Sequence, residues 1–151
     1  MMKKISTDRI RRSLIVASVF SISIAVAAAQ TAKRPELPRN LNVYVDEYPD
    51  KLMRVPAVKS RLRTLLGRRY SDFNLSISVQ APITQKGDFL LASGCIPHAC
   101  TITEAAFAID LKNRRIHAVL YEKDEAPRYF NEDKAPTPQV LLDWVAELKA
   151  S

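Results

Sequence analysis

Residues 89–122 read FLLASGCIPHACTITEAAFAIDLKNRRIHAVLYE, and this stretch decides the fold. Residues 89–93 (FLLAS) make a short apolar strand. Beyond the cysteines, Ala105, Phe107 and Ile109 alternate with Glu104, Ala106, Ala108 and Asp110. A period of two puts these sets on opposite faces of a strand. Lys112-Asn113 marks a hairpin turn. Ile116, Ala118 and Leu120 then alternate with His117, Val119 and Tyr121 on the returning strand. Strands joined this closely pair antiparallel.

Upstream, Leu75, Ile77 and Val79 alternate with Ser76, Ser78 and Gln80, which predicts a half-buried strand ended by Pro82. Lys86-Gly87-Asp88 is a turn signal. Further back the period changes. Val58, Leu62, Leu65 and Leu66 recur at helical spacing, Pro56 suits a first helical position, and Gly67 suits a C-terminal cap. An amphipathic helix is expected over residues 56–66, with Lys59, Arg61 and Arg63 pointing away from its apolar face. Tyr48-Pro49 opens a short turn or helix through Leu52 and Met53. Residues 31–41 carry two prolines and mixed charges and read as an extended arm.

Downstream the chain turns polar through Ala135. Thr137 and Pro138 fit an N-cap and first helical residue, and Val140, Leu141, Trp144, Val145 and Leu148 build the apolar face of a terminal helix. The expected fold is α+β: an antiparallel sheet of four or five strands packed with an N-terminal and a C-terminal amphipathic helix.

The N-terminus has a different character. Lys3, Lys4, Arg9, Arg11 and Arg12 precede an uncharged apolar run over residues 13–26, and Ala27, Ala28 and Ala29 follow. Basic, apolar, then small is the layout of a secretory signal peptide. A membrane anchor is the competing reading, but residues 13–29 are short for a bilayer span, which needs about 20 residues. Residues 1–29 are therefore expected to be a cleaved leader. Residues 30–151 would then form a single periplasmic or secreted domain with no membrane segment of its own.

Removing that leader changes the charge argument. The whole chain has 23 Lys+Arg against 16 Asp+Glu; residues 30–151 keep 18 against 15, a net +3. The basic character belongs largely to the leader and does not indicate nucleic-acid binding. Arg61, Arg63, Arg68 and Arg69 fall in one helical region and read as its solvated face. Three glycines in all leave no Gly-rich phosphate loop. Asp46, Glu47, Glu122, Asp124 and Glu125 lie in charged turns and receive no acid–base role, and His117 reads as a structural histidine within a strand. No cofactor is expected.

The informative segment is SGCIPHACT, residues 93–101. Cys95 and Cys100 are the only cysteines, and in an exported chain they are expected to pair. The loop they close is small, so the gain in global stability is about 2 kcal/mol on the chain-entropy estimate. The local effect is larger. Pro97 fixes one φ angle, the bridge fixes both ends, and His98 sits at the apex. Three readings stay open on the residues alone. The bridge can simply staple a hairpin that carries an ordinary exposed histidine, which is the simplest account. Cys95, His98 and Cys100 could ligate zinc. A free thiolate with His98 as base could act as a nucleophile.

Cys95, Pro97, His98 and Cys100 stand at the spacing of Cys-Lys-Pro-His-Asp-Cys, and here the sequence resembles the Ivy family, the periplasmic inhibitors of vertebrate lysozyme. The resemblance covers residues 87–121, with Ile96 and Ala99 in place of the family's lysine and aspartate. It implies a protein-binding function without catalytic turnover. The Cys95–Cys100 loop would enter a muramidase cleft, with Ile96, Pro97, His98 and Ala99 as contacts and His98 meeting the two catalytic carboxylates. The implied partner is lysozyme or another muramidase or lytic transglycosylase, and a homodimer is possible, as in the family. The alternative is a periplasmic binding or structural module of this fold that inhibits no lysozyme.

Overall fold

The computed structural model describes residues 33–151; the leader reading for residues 1–29 lies outside the described residues. Six strands form one antiparallel sheet: β1 (Val79–Gln80), β2 (Thr84–Lys86), β3 (Phe89–Cys95), β4 (Thr103–Asp110), β5 (Arg115–Glu122) and β6 (Arg128–Asn131). The order is β1-β3-β4-β5-β6, and β2 also pairs with β3, next to its Phe89 end. Among the described residues four α-helices accompany the sheet: α1 (Pro49–Met53), α2 (Pro56–Leu66), α3 (Tyr70–Ser76) and α4 (Gln139–Lys149). The chain is α+β, as its periodicities imply.

The two faces of the sheet bury different partners. Leu90, Ala92, Ala105, Phe107, Ile109, Ile116, Ala118 and Leu120 face one way, against Val58, Leu62 and Leu66 of α2 and Phe73 of α3. The rings of Phe73 and Phe107 lie 6.3 Å apart and tilted, a favourable aromatic arrangement. Ala106, Ala108, Val119 and Tyr121 face the other way, against Leu141, Trp144 and Val145 of α4. With both faces covered, β4 and β5 are buried along nearly their whole length. His117 is buried on the α4 face, where its Nδ1 shares a hydrogen bond with Asn131 Oδ1 at 2.8 Å.

The turns follow from local chemistry. Gly67 has φ +53° and ends α2. Lys86 pairs with Phe89 across a two-residue turn, and Gly87 takes the positive φ that its first central position requires. The β4–β5 turn is held by Asp110, whose carboxylate accepts the Lys112 and Asn113 N–H groups at 3.0 and 2.8 Å and the Asn113 side-chain amide at 2.8 Å.

Several expectations need correction. The alternating residues 75–79 are not one strand. Residues 70–76 are α3, and β1 holds only Val79–Gln80. Leu75 is 58% exposed and Val79 44%, while Phe73 and Ile77 are buried. Burial of Phe73 and the backbone path past Gly94 outweigh the alternation. A Cβ on Gly94 would stand 2.5 Å from the Val79 carbonyl oxygen and 3.0 Å from that of Ile77, so this crossing requires glycine. The helix α4 begins one residue later than expected. Pro138 occupies the N-cap position, and Thr137 Oγ1 instead accepts Asn131 Nδ2 at 2.9 Å. The polar stretch before it contains β6 and a 3₁₀ turn, Glu132–Lys134. The proline-bearing arm is anchored in the core by Leu37 and Leu41.

The largest departure is Arg61, which is not on the solvated face: it is 3% exposed. Its Nε donates to Glu132 Oε1 at 2.9 Å and its Nη2 to Glu132 Oε2. The same Nη2 reaches the Arg114 carbonyl at 2.8 Å, and Nη1 reaches that of Pro35 at 3.5 Å. Glu132 Oε2 also accepts the Ile116 N–H at 2.7 Å. Every polar atom of the buried pair thus has partners, which is the condition for burying two charges. Nearby, the hydrogen bond from Arg34 holds Asp133 below the usual carboxylate range against the opposing effect of burial, and Arg115 adds to the lowering.

Two outcomes test this account. Glu132→Ala leaves a buried guanidinium without its anion and should cost about 3–5 kcal/mol. Urea titration reads this directly, and a loss under about 1 kcal/mol would show that the pair does not hold the fold. Asp110 supplies the pH test. Burial raises its pKa, but hydrogen bonds from Asn113 and Lys112 outweigh burial, His117 adds a Coulombic contribution, and the folded value lies below the usual one. A depressed folded pKa stabilises above the unfolded value, about 3.9, and the contribution fades as pH falls through the folded value. The stability gap between the wild type and Asp110→Asn should therefore be constant near neutrality and close in acid. A gap independent of pH would contradict the assignment.

Candidate functional site

The candidate site is the connection between β3 and β4, residues 96–102. Its base is a ladder pair, Cys95 opposite Glu104, and the Ile96 N–H adds a bond to the Thr103 carbonyl at 3.1 Å. Cys95 and Cys100 form a disulfide with their Cα atoms 5.0 Å apart, inside the usual range for such bridges. With both sulfurs joined, neither thiolate is available as a nucleophile or zinc ligand, so the thiol and metal readings lose their chemistry.

Inside the ring the backbone makes a defined turn. The Ala99 N–H donates to the Ile96 carbonyl at 3.0 Å, and His98 has φ +64°. Proline cannot adopt positive φ, so with Pro97 in the second place and positive φ in the third the turn is type II. That third place favours glycine or asparagine. Histidine is also enriched in left-handed conformations relative to bulkier residues. His98 thus holds a backbone conformation that is mildly unfavourable for a residue with a side chain, at the tip of the ring.

A second turn closes the loop. The Ala99 carbonyl accepts the Ile102 and Thr103 N–H groups at 3.1 and 2.9 Å, and Thr101 takes φ +69°. The Thr101 N–H donates to Glu104 Oε1 at 2.7 Å. The Ile102 carbonyl accepts the Lys123 N–H at 2.8 Å, tying the loop to the far end of β5. Pro97 and His98 are exposed, and Ile96 and Ala99 are half-buried. The four sequence-predicted contact residues thus lie together on one loop. His98 is the only titratable side chain between the two ends of the segment 96–102, so the tip is apolar apart from its imidazole and the Thr101 hydroxyl.

Two residues escaped the sequence reading. Ile102, 52% exposed, extends the apolar surface beside the ring. Glu104 is a buried carboxylate that anchors Thr101. Its signal was present: strand alternation puts Glu104 on the face otherwise held by Ala106 and Ala108, where a charge needs a specific donor.

The described fold is a covered sheet that holds a short disulfide-closed loop at one end. The family model for Ivy, inhibitor of vertebrate lysozyme, matches residues 57–151, and the chain belongs to that family. The match reaches well beyond the loop and takes in α2 and α4. The family is one of lysozyme inhibitors, not of enzymes. No curated protein matches the chain, and no solved structure does. Among the described residues no helix is long and apolar enough to cross a membrane.

The geometry makes Glu104 a positioning residue for the loop. Glu104→Ala should speed amide exchange at Thr101 and its neighbours by about tenfold or more, the loss of one charge-assisted hydrogen bond. Exchange at Phe107 and Ile109 in the sheet centre should change far less. Unchanged protection at Thr101 would remove Glu104 from this role.

Proposed function

We propose that the protein is an exported inhibitor of a lysozyme-type muramidase and acts by inserting the Cys95–Cys100 loop, His98 foremost, into the active-site cleft. The observation that carries this reading is the type II turn, which holds an exposed imidazole at the tip of a cross-linked ring on a chain of the Ivy family. The leader is removed on export, and residues 30–151 form the mature domain.

The chemistry is suited to the target. A muramidase cleft holds a protonated general acid and an ionised partner carboxylate. Imidazole can donate to one and accept from the other, and imidazolium is attracted to the pair. Because the turn, the bridge and the Glu104 anchor fix the loop beforehand, little conformational entropy remains to be lost on binding. Ile96, Pro97, Ala99 and Ile102 give the flanks an apolar contact surface.

Charge narrows the choice of target. Residues 30–151 carry a net +3, and the loop lacks the family's lysine and aspartate. A strongly basic lysozyme gains nothing from electrostatic steering toward such a partner. A less basic muramidase, including a lytic transglycosylase of the cell envelope, is the better match. The protein has no catalytic turnover of its own.

Purified residues 30–151 should inhibit at least one member of a muramidase panel, and absence of inhibition across the panel at micromolar protein would sink the proposal. His98→Gly separates backbone from side chain, because glycine accepts the same positive φ. It should raise the inhibition constant about 30-fold or more, as for an interface hot spot. An unchanged constant would exclude the imidazole as the principal contact. Reducing the disulfide should weaken inhibition as well.

A further inference from the structure

The loop is too small to bind a protein by itself. A specific interface takes about 800 Å² and roughly 20–30 residues from each partner. The loop offers only residues 96–102, between the end of β3 and the start of β4. A partner that takes the ring must also rest on the surface beside it. Two surfaces border the ring in the sheet: β1, next to β3, and the end of β5, next to β4.

These two sides differ in charge. At the β5 end stand Glu122, Lys123, Asp124 and Glu125, and Lys149 of α4 lines the same cleft as the last three of these. The β1 side is neutral. Residues 73–85 read FNLSISVQAPITQ and carry no charge, in a chain that is 26% charged. Residues 89–103 hold no titratable group outside the bridge except His98. The register lays these two runs side by side: Val79 opposite Cys95, Gln80 opposite Gly94, Thr84 opposite Leu91 and Gln85 opposite Leu90.

Val79 is the apolar group nearest the bridge on this side. Directly opposed residues share a face of the sheet, with Cβ atoms about 5 Å apart. Cys95 is 7% exposed and Val79 44%, so Val79 presents an apolar side chain to solvent beside the disulfide. The close passage over Gly94 fixes its backbone there. Beyond Val79, residues Ala81, Pro82 and Thr84 are exposed along the same margin.

This margin is also an edge of the sheet. Among the described residues no strand pairs with the outer side of β1. Sheet edges are commonly guarded by charged side chains or proline. The opposite edge strand, β6, carries Arg128, whereas β1 and its flanks have only Pro82. An interface core is depleted of charge and surrounded by a polar rim. The neutral β1 side has the first character, and the β5 side has the second.

We propose that the target muramidase seats on the β1 side of the ring, with Val79 as the main apolar contact outside the loop. This rests on the reading of the loop as the inhibitory element and adds a requirement on the partner. One lip of its cleft must be apolar and uncharged where it meets Val79 and Ala81. The charged end of β5 stays at the rim.

The test uses residues 30–151 and the panel muramidase that they inhibit most strongly. Val79→Glu should raise the inhibition constant about tenfold, mainly through faster dissociation. Val79→Thr, which keeps the branched shape and suits a strand, should raise it about threefold and serves if the glutamate variant unfolds. Val79→Ile should leave it unchanged. Leu142→Glu is the control, because Leu142 is 38% exposed on α4, away from the ring, and should have no effect. Inhibition lost in His98→Gly but kept in both polar Val79 variants would overturn the proposal and leave the loop reading standing. Equal losses in Val79→Glu and Leu142→Glu would overturn it too. So would loss of a homodimer in sedimentation at unchanged inhibition, which would assign the edge to a second copy of the chain. A wild type that inhibits no panel member removes the loop reading and this proposal together.

Discussion

The Arg61–Glu132 pair is the constraint on which the arrangement of the helices, the arm and the sheet depends. One guanidinium meets four separate parts of the chain: α2, where it originates, the Pro35 carbonyl of the arm, the Arg114 carbonyl of the β4–β5 turn, and Glu132 after β6. Glu132 in turn holds the Ile116 N–H at the start of β5. These segments lie far apart in sequence, and apolar packing specifies their relative placement only loosely. A planar fork with fixed donor directions specifies it closely. The arm is tied a second time, because Arg114 donates to the Leu37 and Pro38 carbonyls, the latter at 2.7 Å.

That clamp and the disulfide loop occupy opposite ends of the sheet. The clamp grips the β4–β5 turn, whereas the loop leaves β3 at Cys95 and returns at Thr103. Between them run strands buried on both faces. Rigidity at the loop therefore has two sources. Long-range order comes from the covered sheet and its charged clamp, and local order from the two turns, the bridge and Glu104. Gly94 connects the two levels, since only glycine lets the backbone between α3 and β1 pass close to β3 one residue before the ring begins.

Much of this was legible in the sequence where one periodicity dominated. The alternation in β4 and β5 gave strands, faces and turn correctly, because every second residue really does meet a different hydrophobic layer. The helices α2 and α4 were legible for the same reason. Residues 75–79 were misread because five residues are too few to separate a period of two from the end of a helix. The β6 segment was missed because all four of its residues are only half-buried, which erases the alternation. Arg61 was misread because its burial is a tertiary fact. Nothing local distinguishes it from Arg63, and its partner lies 71 residues away. The ring itself was legible as cysteine arithmetic, yet the left-handed His98 and the Glu104 anchor were not, since both depend on hydrogen bonds that spacing alone does not reveal.

The replacement of two charges by Ile96 and Ala99 bears on how such a loop could bind. Charged flanks accelerate encounter and select among partners through their field, while neutral flanks act only on contact. A neutral ring relies on shape and on water released from its apolar sides, terms that govern dissociation more than association. Such a ring has to be stiff, because without steering each encounter must already present the right geometry. The stiffening elements are present in this chain: the bridge, Pro97, the paired turns and the buried carboxylate. On the proposed reading, Ile96 and Ala99 change which cleft is preferred and how fast it is found, while the apparatus that holds His98 in place remains whole.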